Sequence, residues 1–225
     1  MTETVQTQRP RLFIDTAVRS DIESWLETGL FHGVTTNPTL LVAAGIACSL
    51  ENLAALAADV FAFGAREMQA QTWGRSSETL LRHGRLIAAI DPRIVVKVPI
   101  TREGSVAASF LKTEGIRVTM TAVYAPHQAM AAAALGADYA APYLGRMNDA
   151  GRDGFGGIAA MQEIVRGAGS PMRILVASLR RPDDLVRLGR LGVDTFTLSP
   201  SVAAALFDDP LTEAAAEVFE KAAEG

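Results

Sequence analysis

The chain has 225 residues, a formal net charge of −4 at pH 7, a hydrophobic fraction of 49% and a single cysteine. This length and apolar content allow a sizeable core without disulfides or structural metal, and the negative charge gives no electrostatic basis for binding nucleic acid. Cys48 has no disulfide partner, the first ten residues are polar, and every apolar run is far shorter than the roughly 20 residues of a membrane span, so the composition predicts a cytoplasmic protein without signal peptide or membrane partner.

Short apolar runs alternate along the chain with longer stretches of helical periodicity. In chain order, the predicted strands are residues 12–14, 33–36, 67–71, 94–98, 116–121, 139–142, 173–177 and 195–198. The predicted helices are residues 19–28, 50–64, 76–90, 103–113, 126–135, 158–166, 182–190, 201–206 and 211–223. Residues 1–10 lack such a pattern, so we expect a disordered extension there and a single domain at 11–225.

Eight strands separated by helices, without a linker, favour a closed (β/α)8 barrel (a TIM barrel) with an extra C-terminal helix. An open doubly wound sheet is the competing architecture. Its first strand is usually followed by a glycine-rich phosphate loop, whereas residues 15–18 contain no glycine.

Polar side chains end nearly every predicted strand. These positions are Asp15, Thr35-Thr36-Asn37, Gln71, Lys97, Thr121, Tyr143, Ser178 and Thr197. Barrel enzymes place their catalytic groups at this end of the strands. Each residue alone also fits a strand-end cap or a turn, and Asn37-Pro38 in particular is a common turn. The whole set predicts one polar mouth.

Lys97 stands out because it lies in the apolar run Ile94-Val95-Val96-Lys97-Val98-Pro99 and is one of only three lysines. Burial disfavours the charged ammonium, and a neutral amine attacks a carbonyl carbon to form a Schiff base. The alternative is a lysine that extends from an edge strand to solvent, but a closed barrel has no edge strand.

Cleavage of a carbon–carbon bond next to an iminium needs an acid/base for the substrate hydroxyl, for which Tyr143, Asp15 and Gln71 are the candidates, directly or through an ordered water molecule. Tyr143 also fits an ordinary core aromatic residue. Arg146, Ser178 and Arg180 follow late strands, where barrels often bind phosphate, although Arg180-Arg181-Pro182 equally fits a solvated helix start.

Metal and nucleotide cofactors are not expected. His32, His83 and His127 are scattered, and their spacing to acidic residues or cysteine matches no metal motif. The run Gly154-Phe155-Gly156-Gly157 lacks the lysine of a nucleotide-binding loop and predicts a flexible segment bordering the site.

Several motifs closely resemble those of the short transaldolase/fructose-6-phosphate aldolase family. In chain order they are Phe13-Ile14-Asp15-Thr16, Gly33-Val34-Thr35-Thr36-Asn37-Pro38-Thr39, Val95-Val96-Lys97-Val98-Pro99-Ile100-Thr101, Glu103-Gly104, Gly115-Ile116, Thr121-Ala122-Val123-Tyr124, Ala141-Pro142-Tyr143-Leu144-Gly145-Arg146 and Ala177-Ser178-Leu179-Arg180. The resemblance covers nearly the whole chain.

The resemblance implies a cofactor-free barrel enzyme for sugar phosphates in which Lys97 forms the Schiff base with the C2 carbonyl. It further implies that Asp15 and Asn37, beside Thr36, bind hydroxyls of a dihydroxyacetone unit. Thr121 and Gln71 hold a catalytic water, and Arg146 with Ser178 binds phosphate. Small members of the family form homo-decamers of two pentameric rings, so the helix at 211–223 is expected to reach a neighbouring subunit.

Two positions distinguish the subfamilies. Transaldolases generally carry glutamate and phenylalanine where this chain has Gln71 and Tyr143, which favours an aldolase that cleaves fructose 6-phosphate into dihydroxyacetone and glyceraldehyde 3-phosphate. Trp73 and Leu179-Arg180 depart from the aldolase pattern, and a bulky Trp73 beside the mouth is expected to alter the donor or acceptor. The alternatives are a transaldolase and a non-catalytic sugar-phosphate-binding barrel.

Overall fold

The computed structural model describes residues 9–225, in which eight parallel strands close into a barrel surrounded by helices. Each strand pairs with its neighbours in sequence, and β8 pairs back onto β1. The predicted (β/α)8 fold with an additional C-terminal helix is confirmed. The disordered extension predicted at 1–10 falls mainly on residues 1–8, which lie outside the described part of the chain.

The strands are β1 (Arg11–Asp15), β2 (Gly33–Thr35), β3 (Glu67–Gln71), β4 (Ile94–Pro99), β5 (Val118–Val123), β6 (Tyr139–Pro142), β7 (Arg173–Val176) and β8 (Thr195–Leu198). The helices are α1 (Arg19–Glu27), α2 (Pro38–Ala43), α3 (Leu50–Ala62), α4 (Ser77–Ala88), α5 (Arg102–Thr113), α6 (Pro126–Ala134), α7 (Leu144–Asp149), α8 (Gly154–Gly167), α9 (Pro182–Gly189), α10 (Pro200–Ala204) and α11 (Pro210–Glu224).

Strand β5 begins two residues later than its apolar pattern predicts. Ile116 still belongs to the turn that ends α5, because its N–H donates to the carbonyl of Leu111 and Gly115 adopts a φ of 74°. The strand then continues past Thr121 through an irregularity in its pairing with β6, where Ala122 has a φ of 58°. This bulge carries the chain two residues beyond the predicted end.

Two short helices were not predicted, and one glycine-rich run was assigned wrongly. The Asn37-Pro38 turn begins α2: the Asn37 Oδ1 accepts the N–H groups of residues 39 and 40, and Pro38 occupies the first helical position. The residues after Tyr143 form α7. The run from Gly154 to Gly157 is the first turn of α8, capped by the Asp153 carboxylate, so its prediction as a flexible segment was wrong.

Alternation along the strands separates an outer core from the barrel interior. The large apolar core lies between the sheet and the helices. The interior holds a small second cluster made of Phe13, Val95, Tyr139, Ala141 and Leu175. The remaining inward positions are largely polar, so the interior side chains above this cluster form a hydrogen-bonded mouth.

Helix α11 closes the chain without burying any of its side chains. It exposes Leu211, Val218 and Phe219, of which Leu211 is 82% accessible. None of the helices in residues 9–225 is long and apolar enough to cross a membrane.

Candidate active site

Lys97 lies inside the barrel on β4, and its side chain is 4% exposed. In the ladder it is level with Gln71 on β3 and Thr119 on β5. Its position follows from the strand pattern: Val96 and Val98 point outward into the core, which leaves the lysine pointing inward. Within residues 9–225 it forms no ion pair, and it lines a cavity at the carboxyl ends of the strands.

Two adjoining cavities form the mouth at the carboxyl ends of the strands. The first, of about 120 Å³, reaches Lys97 and is lined by Asp15, Asn37, Lys97, Tyr143, Arg146, Ala177 and Ser178. The second, of about 220 Å³, is lined by Asn37, Pro38, Thr39, Gln71, Pro99, Thr121, Ala122, Tyr124, Tyr143 and Arg146. The shared residues Asn37, Tyr143 and Arg146 form the boundary between them.

Asp15 is the single carboxylate among the described residues that line these cavities. Its Oδ1 accepts a hydrogen bond of 2.6 Å from the Thr35 hydroxyl, whose oxygen is also 2.6 Å from that of Thr197. This contact fixes the carboxylate while leaving its second oxygen for a ligand. Asn37 uses its side-chain oxygen to cap α2, so its amide N–H groups remain as donors.

Tyr143 and Thr121 form the other side of the mouth. Their hydroxyl oxygens are 2.8 Å apart, and Gln71 lines the same cavity. The Tyr143 ring meets the Tyr124 ring edge to face, with centroids 5.6 Å apart. Three groups that each donate and accept hydrogen bonds thus converge above Lys97, an arrangement suited to holding a water molecule or relaying a proton.

The backbone around Tyr143 is held in unusual conformations on both flanks. Ala122 and Ser178 each have a φ of 58°, a left-handed conformation that is costly for residues other than glycine. Between them, Gly145 donates its N–H to the Ser178 carbonyl, and a side-chain carbon at Gly145 would lie 2.5 Å from that oxygen. Only glycine allows this approach, which brings Ser178 beside the start of α7.

Arg146 supplies the positive charge at the mouth. It follows Tyr143 in the first turn of α7, and its guanidinium carbon lies 5.0 Å from the centre of the Tyr143 ring. The neighbouring Tyr124 hydroxyl raises the pKa of Arg146, which keeps the guanidinium cationic. An arginine with open donors at the rim is suited to an anionic substituent of a ligand.

Three predicted site residues lie apart from the two cavities. Arg180 pairs at 2.7 Å with the exposed Asp149 carboxylate instead of facing the mouth. Trp73 is half-buried and stacks on the His83 ring at a centroid distance of 4.6 Å. Thr36 is fully buried, and its hydroxyl has no hydrogen-bond partner among the described residues. The other predicted catalytic and substrate-binding residues line the mouth, whereas Thr35 and Thr197 of the strand-end set are buried and line neither cavity.

Tyr124, Ala122 and Gly145 contribute to the site but were not predicted as site residues. Tyr124 was overlooked because β5 was expected to end at Thr121, whereas the bulge at Ala122 brings the tyrosine back to the cavity. Gly145 lies between the predicted site residues Tyr143 and Arg146. A single glycine in a sequence does not by itself indicate a close backbone contact, so its role was not predicted. In residues 9–225 no three His, Cys, Asp or Glu side chains are grouped closely enough to share a metal ion.

Comparison with known families gives a match over nearly the entire chain. The model of the family "Transaldolase/Fructose-6-phosphate aldolase" matches residues 12–224. A "Probable transaldolase" of Phenylobacterium zucineum is 35% identical over 209 residues, which are 93% of this chain and 94% of the relative. Another "Probable transaldolase", from Thermus thermophilus, is 36% identical over 90% of this chain and 92% of the relative.

Among solved structures, a thiamine phosphate pyrophosphorylase from Pyrococcus furiosus superimposes with a TM-score of 0.57. The superposition covers 84% of this chain and 85% of that protein at 16% sequence identity. At this identity the likeness concerns the barrel fold alone.

Proposed function

Because the chain belongs to the transaldolase/fructose-6-phosphate aldolase family, it is an enzyme of the aldolase or transaldolase type, and we propose that it is a class I aldolase using a Schiff base on Lys97. The observation that carries the proposal is the buried Lys97 amine at the floor of a polar cavity. The non-catalytic alternative has no comparable support. The proposed reaction is reversible cleavage of fructose 6-phosphate to dihydroxyacetone and glyceraldehyde 3-phosphate.

In the first proposed step the amine nitrogen of Lys97 attacks the C2 carbonyl of the ketose, and loss of water gives an iminium ion. Asp15 and Asn37 line the same cavity, and they are the proposed partners of the hydroxyl groups next to C2. Arg146 and Ser178 are the proposed phosphate partners, because a guanidinium and a hydroxyl both donate hydrogen bonds to phosphate oxygens.

Carbon–carbon cleavage then requires removal of the C4 hydroxyl proton. We assign this proton transfer to the group formed by Tyr143, Thr121 and Gln71, acting through a water molecule. The electrons of the C3–C4 bond pass into the iminium to form an enamine, and the aldehyde leaves. Protonation of the enamine at C3 and hydrolysis of the resulting iminium release dihydroxyacetone and restore the lysine.

The fate of the enamine separates aldolase from transaldolase. The second cavity is lined by two tyrosines and two side-chain amides but by no carboxylate among the described residues, which supports protonation of the enamine and release of dihydroxyacetone. The second candidate function is transfer of the dihydroxyacetone unit to another aldose, which the names of the relatives favour. Both functions share the same Lys97 intermediate.

Borohydride trapping tests the shared intermediate. Incubation with fructose 6-phosphate and sodium borohydride should reduce the C=N bond and leave a stable secondary amine on Lys97, located by peptide mass spectrometry. Lys112, which pairs with Asp138, and the exposed Lys221 are internal controls and should remain unmodified. Turnover of the sugar without any adduct on Lys97 would exclude both candidate functions.

Product analysis then separates the two candidates. We expect free dihydroxyacetone to accumulate from fructose 6-phosphate in the absence of an acceptor aldehyde. Addition of erythrose 4-phosphate provides the comparison, because a transaldolase needs an acceptor to regenerate its lysine. Turnover only in the presence of erythrose 4-phosphate would assign the transaldolase function instead.

The proposed assembly is a homo-oligomer in which α11 contacts a neighbouring subunit. The support is the absence of buried side chains along α11 combined with its exposed Val218 and Phe219. Val218→Ser with Phe219→Ser should shift the mass measured by light scattering toward the monomer. An unchanged mass would remove α11 from the interface.

A further inference from the structure

A cavity of about 360 Å³ opens at the amino-terminal ends of the strands, the end of the barrel opposite Lys97. Its polar wall comes from separate elements: Arg11 and Arg173 begin β1 and β7, while His32 and Arg66 directly precede β2 and β3. The full lining is Arg9, Pro10, Arg11, Gly29, Leu30, Phe31, His32, Arg66 and Arg173. None of these residues has a part in the proposed aldol reaction.

The cavity is cationic although the whole chain carries a net charge of −4. Four arginines and no acidic residue line it among the described residues. Two carboxylates lie near it. Glu67 is 1% exposed and is held by Arg117 at 2.7 Å, whereas Asp194 pairs with Arg173 at 3.2 Å.

Among the described residues, two arginines of the cavity, Arg11 and Arg66, have no acidic partner. The Arg11 guanidinium donates to the hydroxyl of Tyr139, a neutral partner. Arg66 is exposed and forms no ion pair with any described residue. The positive charges of Arg11 and Arg66 repel the neighbouring cations, and a bound anion relieves that repulsion.

The arginines of the cavity also act on His32, second to its burial. Burial, followed by the charges of Arg11, Arg66, Arg173 and Arg117, lowers the pKa of His32 to about 4. Loss of hydration likewise lowers the pKa of Arg173. An anion in the cavity would stabilise the protonated form of His32, so this imidazole serves as a local probe of occupancy.

We propose that this cavity binds a small anion carrying phosphate groups, at a site separate from the active site. Phosphate fits better than carboxylate because the guanidinium groups approach from different elements of the barrel. A phosphoryl group accepts hydrogen bonds on three oxygens in different directions, whereas a carboxylate accepts them on two oxygens in one plane. The volume is that of a small-metabolite pocket.

Calorimetric titration with inorganic pyrophosphate tests the site. The double variant Arg9→Gln/Arg66→Gln removes two exposed charges from the cavity and leaves the interior hydrogen bonds intact. The control is Arg190→Gln, since Arg190 is the C-cap residue of α9 at the same end of the barrel and does not line the cavity. We expect affinity to fall at least about tenfold in the double variant and to stay within about twofold in the control.

A second measurement shows whether the bound pyrophosphate lies in this cavity. NMR titration of the His32 imidazole should show its pKa moving upward from about 4 when pyrophosphate is present. The movement should disappear in Arg9→Gln/Arg66→Gln. Equal affinity in the wild type and the double variant, or an unmoved His32, overturns the proposal. Tighter binding of citrate than of pyrophosphate overturns the phosphate assignment.

Discussion

Acid should destabilise this protein through His32, and the effect is separable from that of the carboxylates. The His32 ring packs edge to face on Phe13, with centroids 5.3 Å apart, beside the arginines of the amino-terminal cavity. Burial and then the charge of Arg11 lower its pKa from 6.5 to about 4. The folded protein therefore resists protonation of a side chain that the unfolded chain protonates readily.

The sign and size of the effect on stability follow from the difference between the pKa of His32 in the folded and the unfolded state. Between pH 6.5 and about 4 the unfolded state binds more protons than the folded state. The contribution of neutral His32 to the free energy of unfolding is therefore complete above pH 6.5 and is lost as the pH falls through about 4. A shift of this size corresponds to at most about 3 kcal/mol, since each unit of pKa is worth about 1.4 kcal/mol and the half-buried ring keeps some hydration.

Urea unfolding at pH 7, 6, 5 and 4 measures the effect in the wild type and in His32→Gln. Every other side chain is the same in both proteins, so contributions common to the two largely cancel in the comparison. The wild type should lose up to about 3 kcal/mol more than the variant between pH 7 and pH 4. Parallel stability curves for the two proteins would refute the assignment of the low pKa to His32.

Three further predictions concern the mouth and the barrel wall. Tyr143→Phe should lower the rate of fructose 6-phosphate cleavage by about 100-fold or more while borohydride still traps the lysine adduct, and loss of trapping would contradict the proposed role. Arg146→Gln should raise the KM for the phosphorylated ketose by about 10-fold or more, whereas Arg180→Gln should stay within about twofold, and equal effects would contradict this division. Gly33→Ala should lower the free energy of unfolding by about 2 kcal/mol or more, because its Cβ would lie 1.9 Å from a backbone oxygen. Gly167→Ala, with open space at its Cβ, should instead add up to about 1 kcal/mol, and similar melting curves for both glycine variants would contradict the steric argument.

The strands were predictable because each carries a strong local signal. The run from Ile94 to Pro99 is β-branched and bounded by prolines, and it forms β4. Helix α7 escaped prediction because its six residues are too few to display a helical period. The bulge at Ala122 escaped as well, because alanine in a left-handed conformation is imposed by the surrounding sheet and has no signature in the sequence.

The site was predictable to the extent that strand ends define it. Asp15, Lys97 and Tyr143 line one cavity, as their places at strand ends indicated. The orientation of the Arg180 side chain was not predictable in this way. It forms an ion pair with Asp149, and that carboxylate is brought close by α7, which was itself not predicted. Trp73 likewise follows β3 but turns to stack on a histidine of α4.

The two residues in left-handed conformation beside Tyr143 affect which substitutions this enzyme tolerates. Ala122 and Ser178 retain a backbone cost of order 1 kcal/mol each that glycine would remove, although glycine would also give the unfolded chain more freedom. The two effects nearly offset one another, so glycine at either position should be close to neutral for stability. It would nevertheless make the backbone beside Tyr143 more flexible. Directed evolution toward larger aldehydes can therefore introduce backbone flexibility at Ala122 while the side chains of Tyr143 and Lys97 stay unchanged, whereas glycine at Ser178 would also remove the hydroxyl proposed to bind phosphate.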